Sequence, residues 1–291
     1  MASGERIKPV IPATAWIADT ARVRITSLQN DRIKQVVKLN NRRQRDAARQ
    51  TIVEGIREVG RALQQGIIPH EAYLCPELIT NEVSEAVTQL TQLAQSGATQ
   101  LFEVTPEIFA KIAYRGDSGG LLLVIPYQQH SLNDLPPGVL PFLAVVENVE
   151  KPGNLGAILR TADAAGVDGV IVCSDGTAST DLHNPNVVRA SLGTLFTVPV
   201  AAATTSETIT WLQERHIQIV VATLEAEKVY TAVNLQAPIA LVTGSEAYGL
   251  SRAWLSAADE KIKIPMYGTA DSLNLATATA LLLYEVVRQK S

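Results

Sequence analysis

What this chain has little of narrows its class before any motif does. Cysteine occurs twice, at Cys75 and Cys173, in separate apolar, strand-like runs. That placement fits two buried thiols in a reducing cytoplasm rather than a disulfide or a metal pair. The four histidines, His70, His130, His183 and His216, are scattered without ligand spacing, so no metal is expected. No apolar run approaches the length of a membrane span. Residues 1–24 lack the charged-then-apolar pattern of a signal segment and read as a flexible leader. With 46% hydrophobic and 19% charged residues over 291 positions, the chain can bury a substantial core.

Neither charge sign dominates, since the formal net charge is −4. The distribution is uneven, however. Residues 22–49 hold nine basic residues against two acidic ones, which leaves the rest of the chain strongly acidic. Such a patch attracts phosphate whatever the global sum, and a solvated helix face is the plainer alternative.

Two blocks follow from the pattern of apolar runs and breakers. The spacing of Ile25, Leu28, Ile33, Val36, Val37 and Leu39 predicts a helix over 25–49. Strands and helices then alternate to residue 128, as in a small α/β domain. Residues 129–141, with Pro136, Pro137, Gly138 and Pro141, read as a linker. Six further strands are expected from "FLAVVENV" to "KIKIPM" within a second domain over 142–291. These runs are rich in Val and Ile and nearly continuous, the pattern of a parallel sheet covered by helices on both faces.

The stretch "NVEKPGNLGAILRTADAAG" (148–166, preceded by Glu147) is the least ordinary. A helix beginning near Leu155 would bury Leu155, Ile158, Leu159, Ala162 and Gly166. Asn154 would then cap it, and Arg160 would lie over Gly156, free to reach an anion at the helix mouth. Against this stands capping alone, with Arg160 paired to Asp163 one turn on. The dinucleotide and phosphate-loop glycine patterns are both absent. "ALVTGSEAYGLS" (240–251) places Glu246 just past a buried strand, where open α/β sheets hold ligands. "IPMYGTADSLNLATATALLLYEVVRQ" (264–289) joins a strand to a long helix expected to be deeply buried from Leu275 to Leu283. Ser272 is its natural cap and Asn274 falls in its first turn.

Together and in this order, the three stretches resemble the three motifs of the SpoU (TrmH-like) branch of the SPOUT RNA methyltransferases, over residues 142–289. Residues 184–200 also look like the family's intermotif stretch, and the N-terminal block is more loosely similar to its substrate-binding domain. The resemblance implies an α/β fold: a C-terminal SPOUT-type parallel sheet with a deep trefoil knot, plus the smaller N-terminal α/β domain. It implies S-adenosylmethionine held largely by backbone of the second and third motif loops, here Gly244, Ile264 and Leu273 with neighbouring Thr243 and Met266. There, the absent side chain of Gly244 would let the adenosyl group approach closely. It implies methyl transfer to a ribose 2′-hydroxyl of RNA, with Arg160 as the catalytic arginine and Asn154, Glu246, Ser272 and Asn274 around it. Glu246 would hold Arg160 or the substrate, while Asn148 has no implied role. Ribosomal RNA is the expected partner, contacted by Lys38, Arg42, Arg43 and Arg45, and the protein is expected to be a cytoplasmic homodimer needing neither metal nor membrane. A transfer-RNA enzyme, a non-catalytic RNA-binding scaffold and an unrelated nucleotide-cofactor enzyme are the rivals.

Overall fold

The computed structural model describes residues 22–79, 84–114, 118–128, 130–135, 138, 140–176 and 181–291. They form two compact units that divide between Tyr127 and Gln128. Most of the expected leader lies outside the described residues.

In the first unit β1 (Arg22–Ile25), β2 (Gln50–Glu54), β3 (Glu71–Leu74), β4 (Gln100–Val104) and β5 (Leu121–Pro126) form a sheet in the order β1-β4-β3-β5-β2. β1 and β3 run parallel to β4, whereas β5 is antiparallel to both β3 and β2. Helices α1 (Asp31–Lys38), α2 (Arg42–Ala48), α3 (Ile56–Gln64), α4 (Ser84–Gln95) and α5 (Pro106–Ile112) complete the unit.

The helix expected over 25–49 is therefore a strand end and two short helices. Asparagine explains both restarts. Asn30 accepts from the Arg32 amide and Asn41 from the Arg43 amide, so each caps a new helix. Ile33, Val36 and Leu39 still face the core.

Arg45 is the clearest correction among the basic residues. It is 2% exposed, and its Nη1 donates to the carbonyls of Leu39 (2.8 Å) and Asn40 (3.0 Å). A cation there satisfies carbonyls left over at the end of α1, which makes Arg45 a structural residue and removes it as an RNA contact. Lys38, Arg42 and Arg43 are exposed, with Arg42 3.7 Å from Asp46.

The second unit contains β6 (Phe142–Glu147), α6 (Pro152–Ala165), β7 (Gly169–Ser174), α7 (Pro185–Ala190), β8 (Val200–Thr204), α8 (Thr205–Glu214) and β9 (Gln218–Ala222). β10 (Lys228–Val229), β11 (Ile239–Thr243), α9 (Arg252–Ala257), β12 (Glu260–Lys263) and α10 (Leu275–Lys290) follow. All seven strands are parallel, in the order β10-β12-β9-β11-β6-β7-β8. β6 and β11 at its centre are buried along their whole length, as two-sided helix cover requires. The short edge strand β10 has no counterpart among the apolar runs, because two residues carry no period. Leu135, inside the expected linker, is buried in this unit's core.

Both cysteines are free and buried, and burial pushes their thiols up, Cys75 to about 11 and Cys173 to about 12. No described helix is long and apolar enough to cross a membrane.

Candidate active site

Parallel strands bring their C-terminal ends to one edge of the sheet, and the three sequence stretches leave from β6, β11 and β12 at that edge. A cavity of about 480 Å³ opens there. Thr243, Gly244, Ile264, Met266 and Leu273, the five residues expected around the cofactor, all line it, as do Glu246 and Ser272. Its volume lies within the roughly 300–1,000 Å³ usual for small-molecule sites. The wall combines apolar side chains such as Leu250, Leu255 and Ile262 with loop backbone.

Gly244 owes its identity to the loop, not to an incoming ligand. A Cβ at this position would lie 2.2 Å from the carbonyl carbon of Gly249 and 2.5 Å from the Leu250 nitrogen. Residues 245–249 fold back over it through Ser245 N–H to Gly249 O (3.1 Å) and Gly249 N–H to Ser245 O (3.0 Å).

Beyond the loop, Glu147 anchors the chain. Its fully buried carboxylate accepts from Thr205 Oγ1 (2.6 Å), Ser251 Oγ (2.8 Å) and the Ser251 amide (2.7 Å). Asn148 turns left-handed directly after it (φ 51°) and donates to Asp175 at 3.0 Å, so its role is structural.

Glu246, Asn154 and Asn274 come together although 92 and 28 positions separate Glu246 from the two asparagines. Oε1 of Glu246 accepts from Asn154 Nδ2 (2.7 Å) and Asn274 Nδ2 (2.9 Å), and Asn274 Nδ2 also reaches Asn154 Oδ1 (3.1 Å). Lys151 forms an ion pair with Oε2. These contacts hold the Glu246 carboxyl below the usual carboxylate range, the Lys151 bond contributing most and Asn154 next. Glu246 is thus occupied by Lys151 and the two amides, not by Arg160.

Capping differs from expectation at both helices. α6 begins at Pro152, so Asn154 lies inside its first turn and spends its side chain on Glu246. Asn274, not Ser272, caps α10, its Oδ1 accepting from the Ala276 (3.0 Å) and Thr277 (3.3 Å) amides. Ser272 stays exposed on the cavity wall.

Leu155, Ile158, Leu159 and Ala162 are buried as the pattern requires, while Gly166 is the left-handed C-cap (φ 66°). Gly156 permits the close approach of α7. A Cβ would stand 2.4 Å from Ala190 Cβ and 2.7 Å from its carbonyl carbon. The space over Gly156 is therefore filled and does not receive Arg160. Asp163 accepts from Thr197 Oγ1 at 3.0 Å and makes no pair with Arg160. Arg160 is exposed on α6 and has no hydrogen bond or ion pair among the described residues.

Comparison with known proteins identifies the family. The SpoU rRNA methylase family matches residues 141–284. A 23S rRNA (guanosine-2′-O-)-methyltransferase, RlmB, of Pectobacterium atrosepticum is 40% identical over 56% of this chain and 68% of its own length. The chain belongs to the SpoU rRNA methylase family. Its N-terminal residues 30–122 match the MRM3-like substrate binding domain. A SpoU relative matched over both units is a 23S rRNA (uridine(2479)-2′-O)-methyltransferase of Streptomyces viridochromogenes, 30% identical across 92% of each chain. The crystal structure of an AdoMet-bound rRNA methyltransferase from Sinorhizobium meliloti is similar at a TM-score of 0.82 and 29% identity, covering 92% of this chain and 98% of that one. Lys151, paired with Glu246, and Glu147, which holds Thr205 and Ser251, are the residues of this candidate site that the sequence reading did not single out. Pro152, a residue type favoured at the first position of a helix, was the available signal that α6 starts beside Lys151.

Proposed function

We propose that this chain transfers a methyl group from S-adenosylmethionine to a ribose 2′-hydroxyl of ribosomal RNA. The observation that carries this reading is the cavity at the sheet edge, with the Glu246–Asn154–Asn274 cluster at its rim. Its mixed apolar and backbone wall fits an adenosyl thioether skeleton.

Bound S-adenosylmethionine supplies a methyl group made electrophilic by the sulfonium. As the methyl group moves to the oxygen, S-adenosylhomocysteine leaves and the hydroxyl proton passes to solvent, so the protein's share is to align the hydroxyl and to offset charge developing on its oxygen. Asn154 Oδ1 accepts one bond from Asn274 and keeps a second lone pair for the ribose hydroxyl. Arg160, without a partner among the described residues, clamps a phosphate beside the target ribose and stabilises the nascent alkoxide. Ser272, exposed on the cavity wall, offers its hydroxyl to the substrate.

The first unit supplies an electrostatic handle on RNA through Lys38, Arg42 and Arg43. Two copies pair through α10, which leaves Leu281 (41% exposed) and Tyr284 (49%) on one face and packs beside the helix carrying Arg160. The exposure of Leu281 departs from the deep burial expected between Leu275 and Leu283. The C-terminal knot belongs to the same proposal, supported by a chain that leaves β12 beside β9 and returns as α10 against β11 and α6. Free buried thiols agree with a cytoplasmic setting.

Calorimetric titration of the whole protein with S-adenosylmethionine tests the reading. One site per chain is expected, displaced by S-adenosylhomocysteine. An absence of binding would overturn the cofactor assignment.

A further inference from the structure

Lys151 stands where a cation is least expected. It is the N-cap of α6, makes no side-chain cap bond, and places a positive charge beside the positive end of a fourteen-residue helix. Its backbone is extended (φ −87°, ψ 120°), and Pro152 fixes the entry into the helix. Residues that break a local rule concentrate at functional sites. What keeps Lys151 there is the ion pair with Glu246, on a loop that leaves a different strand.

That pair divides the work of one carboxylate. Oε2 faces the ammonium, whereas Oε1 accepts both asparagine amides. Asn274 has no freedom to flip, because its Oδ1 is committed to the Ala276 and Thr277 amides and its Nδ2 must then face Glu246. Asn154 follows: with Nδ2 on Glu246, its Oδ1 accepts from Asn274. One rotation of the Glu246 carboxylate would loosen both amides at once.

We propose that Lys151 is a positioning residue for methyl transfer, its ammonium fixing the Glu246 carboxylate so that both asparagines present one orientation to the acceptor ribose. The inference rests on the function proposed above. The lowered Glu246 titration supports it, since the Lys151 bond is its largest cause. The sign is clear. A carboxyl whose folded-state value is depressed keeps its bonds above the ordinary carboxylate range and loses them as pH falls through the depressed value. Lys151 is the charged group bonded to Glu246, the Leu275 amide faces it from α10, and Asp271 lines the same cavity.

The test compares Lys151→Met and Lys151→Arg in the full chain, with ribosomal RNA as acceptor and Glu246 followed by carbon-13 carboxyl titration. For the methionine variant, kcat should fall roughly tenfold or more, the factor a lost charge-assisted hydrogen bond represents. KM for RNA should stay near the wild-type value. The acid limb of the rate profile and the Glu246 carboxyl should both move toward neutral pH, and arginine should restore most of the rate. A raised KM for RNA with unchanged kcat and unchanged Glu246 titration would overturn the proposal and make Lys151 a phosphate contact. Unchanged kinetics would overturn it equally. If the wild type transferred no methyl group, the function reading would fall. The carboxyl titration would still decide whether Lys151 governs Glu246, and an unmoved Glu246 would overturn that coupling.

Discussion

Arg160→Ala should lower methyl transfer by on the order of a hundredfold to a thousandfold in kcat, the range seen when one donor to a developing oxyanion is removed. Cofactor binding and thermal stability should hardly change. The asymmetry follows from the surroundings of the side chain. Arg160 is exposed and bonded to nothing among the described residues, so its removal leaves no buried group unpaired and opens no cavity. An arginine kept free of Asp163, one turn away, is available to a substrate phosphate. Turnover assays beside calorimetry and thermal melts check the prediction. A variant that lost cofactor affinity as much as turnover would place Arg160 in the cofactor site and contradict the clamp.

The second large effect is expected at Gly244. Alanine there would force a methyl group to 2.3 Å from the Gly249 carbonyl oxygen and 2.5 Å from the Leu250 nitrogen. These are backbone atoms, and the hairpin they belong to is closed by two main-chain bonds and by Ser245 Oγ accepting from the Tyr248 amide (3.0 Å). Relief requires the loop to open, at a cost of about 1–3 kcal/mol for overpacking. Because residues 244–250 form one wall of the cavity, S-adenosylmethionine affinity should fall by roughly ten- to a hundredfold. The remainder of the sheet should stay folded, since the atoms the new methyl group meets, in Gly249 and Leu250, belong to the loop after β11 and not to a strand. Normal cofactor affinity in Gly244→Ala would show that the loop is not part of the binding wall.

Most of the sheet was legible because strands such as β6, β7, β9 and β11 are apolar runs bounded by breakers, whereas the run expected as a strand at 195–201 is a short turn of helix at Thr194–Phe196 and the strand β8 begins only at Val200. The convergence of the three stretches followed from parallel strands sharing one C-terminal edge. What escaped is decided by partners distant in sequence. Asn154 and Asn274 are both typed to cap, yet only one does. Asn154 finds Glu246 across the sheet edge and leaves the helix mouth to a lysine. Arg45 has the composition of an exposed base, but two carbonyls at the end of α1 give it buried partners. Gly156 and Gly244 are smooth entries in a pattern of turns, whereas their real constraint is backbone approaching from elsewhere, Ala190 in one case and Gly249 in the other. Lys151 stands at a helix mouth only because α6 begins at Pro152, three residues before the expected start, and its partner Glu246 lies far away in sequence.

Transfer of labelled methyl from S-adenosylmethionine to unmodified ribosomal and transfer RNA, followed by mapping of alkali-resistant linkages, tests the central claim most directly. The account predicts label in ribosomal RNA, confined to a ribose 2′-oxygen and absent with Arg160→Ala. Label on a base, or label that persists without Arg160, would contradict it.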